Sequence, residues 1–262
     1  MIELLKIKAT RVLAFILVIT LVQGGVTANS QSSLEAYTNI QEIDNPEDYL
    51  ALCTKNHRFP QDYEPSDLRK IKGIEFLLRD KAAEAFEQMR DAMDAVGLNI
   101  EVFSAYRSYN TQQLLFHERV RRHGSAERAE MGTARAGHSE HQSGLAVDIR
   151  HIGAISNMSF QYTAHYQWLL QHAHEYGYIL RYPIEYIHIT GYMFEPWHWR
   201  YIGIEHATAM KSGEYTVFEH YWEDNFIETY EIEMPTELTE SDVLKHFIPL
   251  FFMQAIPVLG GK

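Results

Sequence analysis

The sequence predicts an α+β fold, a single domain in which helices flank a central antiparallel sheet. Three observations carry this: an amphipathic helical stretch at Lys81–Val96, strand-like stretches at Gly144–Ile149 and Trp197–Tyr201, and no regular strand–helix–strand rhythm of the kind a parallel sheet needs. With 262 residues, 46% of them hydrophobic and 13% aromatic, the chain can build a sizeable core, and nothing in its interior reads as a linker.

Lys6, Lys8 and Arg11 precede an apolar run from Val12 to Val22, broken only by Thr20, and small residues follow up to Ala28. That order is expected of a secretory signal over residues 1–28, with Ala28 last before cleavage. The run is shorter than the roughly 20 apolar residues of an ordinary spanning helix, and an uncleaved membrane tether is the alternative. Either places the rest of the chain outside the cytoplasm, as an exported or cell-surface protein. Residues 29–48 are mostly polar and read as a spacer, residues 49–222 as the domain, and residues 223–262 as a C-terminal extension without a functional reading.

The net charge is -12, and loss of the leader removes three positive charges and one negative, leaving -14. Nucleic acid is therefore excluded as a partner, because binding it needs a basic surface. The single cysteine, Cys53, cannot form an internal disulfide and reads as a small buried hydrophobe.

In chain order, Ala82, Ala85, Phe86, Met89, Met93 and Val96 recur at spacings of three and four, a helix closed by Gly97. Ile100, Val102 and Ser104 form a short strand leading into Arg107. A second helix is expected from Asn110 as cap, with Gln113 three residues later and Gly124 at its end; Leu114, Leu115 and Val120 would face the core. In Gly144–Ile149, Leu145 and Val147 share one face and Ala146 and Asp148 the other. Tyr166, Leu169, Leu170 and Ala173 mark a third helix ending at Gly177. Tyr186–Thr190 and Trp197–Tyr201 complete the strand candidates.

Most of the 14 histidines read as ordinary surface or core residues. Two segments differ. In Gly137–Asp148, a histidine entering a strand and Asp148 on that strand suit one zinc centre, since zinc takes imidazole nitrogen and carboxylate oxygen; His138 and His141 both qualify as the ligand. The small Gly144 and Ala146 suggest a crowded floor beneath a metal or substrate. In Glu195–Arg200, extended backbone puts His198 and Arg200 on one face and Trp197 and Trp199 on the other. Pro196 places Glu195 in the preceding loop, where it can turn towards His198 as a general base. The plainer reading of that segment is a surface pair between Glu195 and Arg200. Arg107 either pairs with a surface carboxylate or holds a developing negative charge.

Together, Ser139-x-His141-x-x-Gly144-x-Ala146-x-Asp148 and Glu195-x-Trp197-His198-x-Arg200 resemble the paired motifs of VanY-type D-alanyl-D-alanine carboxypeptidases. That zinc peptidase group also includes lysostaphin-like enzymes and the hedgehog domain. Phe59-Pro60, Tyr63 and Pro65, the stretch from Ser104 to Gln112, and Leu180-Arg181-Tyr182-Pro183 extend the resemblance over Tyr49–Trp222. It implies Zn2+ on His141, Asp148 and His198, which selects His141 over His138. It further implies Glu195 as base, Arg107 on the scissile carbonyl oxygen, and Ser139, Gln112 and Tyr182 as substrate contacts. The implied substrate is the peptidoglycan stem peptide and the implied reaction is loss of its terminal D-alanine. L,D-carboxypeptidase, D,D-dipeptidase, stem-peptide endopeptidase and a non-catalytic zinc-stabilised binding module are the alternatives.

Overall fold

A computed structural model describes residues 37–226 except residue 214. The leader and most of the C-terminal extension lie outside the described residues. Described residues up to Trp222 belong to one compact unit. In chain order the elements are β1 (Gln41–Glu42), β2 (His57–Arg58), β3 (Leu68–Lys70), β4 (Leu77–Arg79), α1 (Asp80–Ala95), β5 (Ile100–Ser104), α2 (Tyr109–His123) and α3 (Ala126–Ala129). They continue with β6 (Ala146–His151), α4 (Ala164–His172), β7 (Tyr178–Leu180), α5 (Ile187–Thr190), β8 (His198–Tyr201), α6 (Ile204–Ser212) and α7 (Phe218–Phe226). No helix among the described residues is long and apolar enough to cross a membrane.

The central sheet has the order β5-β6-β8-β7 and is antiparallel throughout, as the absence of a strand–helix rhythm predicts. Alternation along each strand decides what lies behind the sheet. Val147, Ile149 and Trp199 point to a core that α1 completes with Ala82, Phe86, Met89 and Met93. Asp148, His198 and Arg200 take the opposite face. A second apolar cluster joins Ile179 and Ile202 to Met210 on α6 and to Phe218 and Tyr221 on α7.

Helix α1 ends as its sequence requires. Gly97 adopts φ +78, Leu98 N–H donates to Met93 O and Gly97 N–H to Asp94 O, satisfying two otherwise orphaned carbonyls. Val96 sits in that cap and is exposed rather than on the buried stripe.

Four expectations need correction. The cap of α2 is Ser108, whose hydroxyl accepts from Thr111 N–H, two residues before Asn110. Leu114 on α2 is 72% exposed and Gln112 is the helix's buried residue, so α2 roofs a cleft instead of filling the core. Tyr186–Thr190 is helical: the fourth place in the sheet is taken by β7, and Gly191 at φ +71 ends α5. Packing also begins before Tyr49, within the segment read as spacer. β1 pairs with β2, and the Tyr37 ring meets His138 edge-on.

Candidate active site

Strand register brings the ligand candidates together. Asp148 on β6 lies directly across from His198 on β8, on one face of the sheet where opposed side chains touch. His141 comes from a 3-10 turn, Glu140–Ser143, which runs into β6 through Gly144 at φ +66. That turn is fastened to the end of β5, since Arg107 N–H donates to His141 O. A bulge at Phe103, between Val102 and Ser104, turns the chain there and sets Ala105 O against His141.

One ligand atom each from His141, Asp148 and His198 lies within 4.8 Å of the others, and these three form the sole such group among the described residues. His141 donates Nδ1–H to Ala105 O at 2.7 Å, which leaves the Nε2 lone pair facing Asp148 Oδ2 at 3.2 Å. Burial lowers the pKa of His141, against the pull of Asp148. At that separation the two atoms share a cation, a proton or a metal ion, more favourably than they face each other bare. His198 places Nδ1 3.0 Å from Asp148 Oδ1 and Nε2 3.2 Å from Glu140 Oε2. Although burial opposes it, these two bonds raise the His198 pKa to about 9. Burial also works against ionised Asp148, yet His141 and His198 hold it well below the usual carboxylate range. Two imidazoles and one carboxylate, each imidazole fixed by a bond at its far nitrogen, suit zinc with one side open to a cleft.

His138 is not part of the group; its Nδ1–H donates to Thr54 O at 2.9 Å. The Gln142 amide, next in the turn, is spent on Pro60 O and Tyr63 O, which gives the Phe59–Pro65 stretch a structural role beneath the turn.

The cleft, about 310 Å³, is lined by all eight residues singled out in the sequence, the three ligand candidates together with Glu195, Arg107, Ser139, Gln112 and Tyr182. Glu195 lies in the loop before β8, held by its N–H to Tyr182 O, and its own carbonyl accepts from His198 N–H. Its Oε2 stands 3.8 Å from His198 Nδ1. Burial pushes the carboxyl up to about 8 against the pull of His198, with Asp148 raising it further and Arg107 opposing. Arg107 touches Ser104 Oγ at 3.4 Å, and its buried Nε has no partner, so the surface ion pair is not formed. Gln112 donates to Ala134 O at 2.6 Å while its Oε1 is buried without a partner. The Tyr182 ring stands 4.9 Å from that of His198.

Two details differ from the alternation expected around β8. Trp197 sits in the turn before the strand and lines the cleft, whereas Trp199 is fully buried in the core. Arg200 is wholly buried and pairs with Glu140, not Glu195. Gly144 does not floor the cleft, because a side chain there would meet Leu68 and Arg79. Sequence reasoning missed Glu140, which reaches His198, and Arg181, which reaches Glu140. Their one sequence signal was position, Glu140 between Ser139 and His141 and Arg181 beside Tyr182.

Residues 75–204 match the VanY family, described as D-alanyl-D-alanine carboxypeptidase. The chain is 38% identical to YodJ of Bacillus subtilis (strain 168), over 74% of this chain and 78% of that protein. It is 34% identical to the D-alanyl-D-alanine carboxypeptidase of Enterococcus faecalis (strain ATCC 700802 / V583), over 71% of this chain and 70% of that one. Among solved structures, the LdcB LD-carboxypeptidase has a TM-score of 0.65 at 38% identity, covering 70% of this chain and 90% of that one. A mutant of the vancomycin-resistance D,D-pentapeptidase VanY in complex with Zn(II) has a TM-score of 0.57 at 33% identity, covering 66% and 98%. With these likenesses and the cleft that its own side chains build, the chain belongs to the VanY family of D-alanyl-D-alanine carboxypeptidases.

Proposed function

We propose that the protein is an exported, zinc-dependent D,D-carboxypeptidase that hydrolyses the terminal D-alanyl-D-alanine bond of peptidoglycan stem peptides. One observation carries the reading: a His141–Asp148–His198 group shares a cleft with a buried carboxyl, Glu195, and an arginine whose Nε is unpartnered. A purely structural zinc would need neither of the last two. The order of residues 1–28 supports export.

His141, Asp148 and His198 would hold the ion, which when bound supplies a Lewis acid that acidifies water and polarises a carbonyl. Glu195, as carboxylate, takes the proton of the attacking water and hands it to the leaving amine. Its burial serves both halves of that transfer, since a pKa displaced towards neutrality lets one group accept and then release a proton. Arg107 donates to the carbonyl oxygen as negative charge develops there. Ser139, Gln112 and Tyr182 place the terminal residue.

A second reading, L,D-carboxypeptidase, is favoured by the likeness to LdcB. Digestion of purified muropeptides with and without a chelator, read by mass spectrometry, tests both. The expected result is loss of one alanine from pentapeptide stems, abolished by the chelator. Loss of the last residue of tetrapeptide stems alone would establish the second reading. Loss of two residues or cleavage within the stem would overturn both, and an inert protein would leave a zinc-stabilised binding module.

A further inference from the structure

Behind the ligand group lie four buried charges that the hydrolytic reading does not use. Glu140 Oε1 accepts from Arg181 Nε at 2.7 Å, and its Oε2 faces His198 Nε2 at 3.2 Å. Arg181 turns the rest of its fork to Glu219, Nη1 to Oε2 at 2.9 Å and Nη2 to Oε1 at 2.7 Å, a bidentate pair. Arg200 Nη1 stands 3.1 Å from Glu140 Oε1 as an ion pair whose angle falls short of a hydrogen bond. Glu140, Arg181 and Arg200 are essentially inaccessible to solvent and Glu219 nearly so. Two positive and two negative charges balance, which makes such a group tolerable in the interior.

The bonds run in one direction. Arg200 spends Nε on Tyr201 O and Nη2 on Tyr49 O and Ala51 O, so it cannot also set the rotation of the Glu140 carboxylate. Arg181 makes the aligned bond that does, and Glu219 locks the Arg181 guanidinium. Glu219 lies on α7, beyond residues 75–204 that match the family. We propose that Arg181 and Glu219 are positioning residues for the zinc ligand His198, acting through Glu140, and that α7 thereby belongs to the metal-holding apparatus. The inference rests on the zinc reading above. A group bonded directly to a zinc ligand, as Glu140 is to His198, is worth about 10–100-fold in metal affinity where it has been removed from other zinc sites, which sets the upper limit for Arg181 and Glu219 behind it.

The test uses the full chain and two variants, Glu219→Gln and the double Arg181→Met/Glu219→Gln. The double variant leaves Glu140 and Arg200 in balance, so no buried charge is stranded, and it decides the matter where the single variant does not fold. Zinc affinity is measured by competition with a chromogenic chelator, and coordination by the visible spectrum of the cobalt-substituted protein. Both folded variants are expected to bind zinc more weakly than the wild type, by at most about 10–100-fold, with altered cobalt bands. A folded variant with wild-type zinc affinity and wild-type cobalt bands would show that the four charges only hold the fold together, and would overturn the proposal. A wild type that binds no zinc in the same titration would instead remove the metal reading itself.

Discussion

Replacing Glu195 with glutamine tests the proposed base apart from the ligand group, and the structure sets the size of each effect. Glu195 Oε2 is 3.8 Å from the nearest ligand nitrogen, so it is no part of the three-residue group. Burial pushes its carboxyl up to about 8, which favours the protonated form near neutral pH. Glutamine is close to that protonated form in shape and charge. Stability should therefore change by less than about 0.5 kcal/mol, which is a melting shift under about 2 °C for a domain of this size. Turnover should fall about 10²–10⁴-fold, the usual worth of a positioned general base, with zinc content and KM little altered. The assay is steady-state release of D-alanine from a pentapeptide stem, alongside metal analysis and a thermal melt. The pH profile adds a check on sign. The carboxylate is the active form, so kcat/KM in the wild type rises with pH through the Glu195 pKa. A bound dication favours the carboxylate and moves that midpoint below 8. In Glu195→Gln the acidic limb disappears. A variant that kept more than a tenth of the wild-type kcat, or that lost zinc together with activity, would refute the assignment.

Arg107→Lys should retain zinc and fold while losing about 10²–10³-fold in kcat, because a point charge cannot replace the fork proposed to hold the carbonyl oxygen. Unchanged turnover would remove Arg107 from that role. Gly144→Ala should lower stability by about 1–3 kcal/mol. Its Cβ would sit at φ +66, 2.8 Å from Leu68 Cδ2 and 3.0 Å from Arg79 Cγ. An unaltered melting temperature would show that the turn carrying His141 tolerates a side chain there.

Features that depend on local periodicity were legible along the chain. The apolar stripe and Gly97 stop of α1, the Gly124 stop of α2 and the alternation of β6 follow from chain geometry and side-chain chemistry within a few residues. The two compact motifs likewise showed Asp148, His198 and Glu195 as candidates, whereas choosing His141 over His138 and naming Ser139, Gln112 and Tyr182 needed the family resemblance. Features that depend on distant partners were not legible. Tyr186–Thr190 has the composition of a strand, but a strand exists only where a ladder has room for it, and β7 already filled that edge.

Arg200 shows the same limit at the level of a single side chain. Alternation correctly put it on the face of His198, yet its partner is Glu140, 60 residues away, rather than nearby Glu195. Read by itself, the sequence determined the residue types of a candidate metal site and the strands that carry Asp148 and His198, because both reside in short-range pattern. Only the tertiary structure decided which nitrogen of each histidine faces Asp148 and that Glu219 on α7 backs the site. Those depend on sheet register and on the packing of buried charges against one another, which no local spacing encodes.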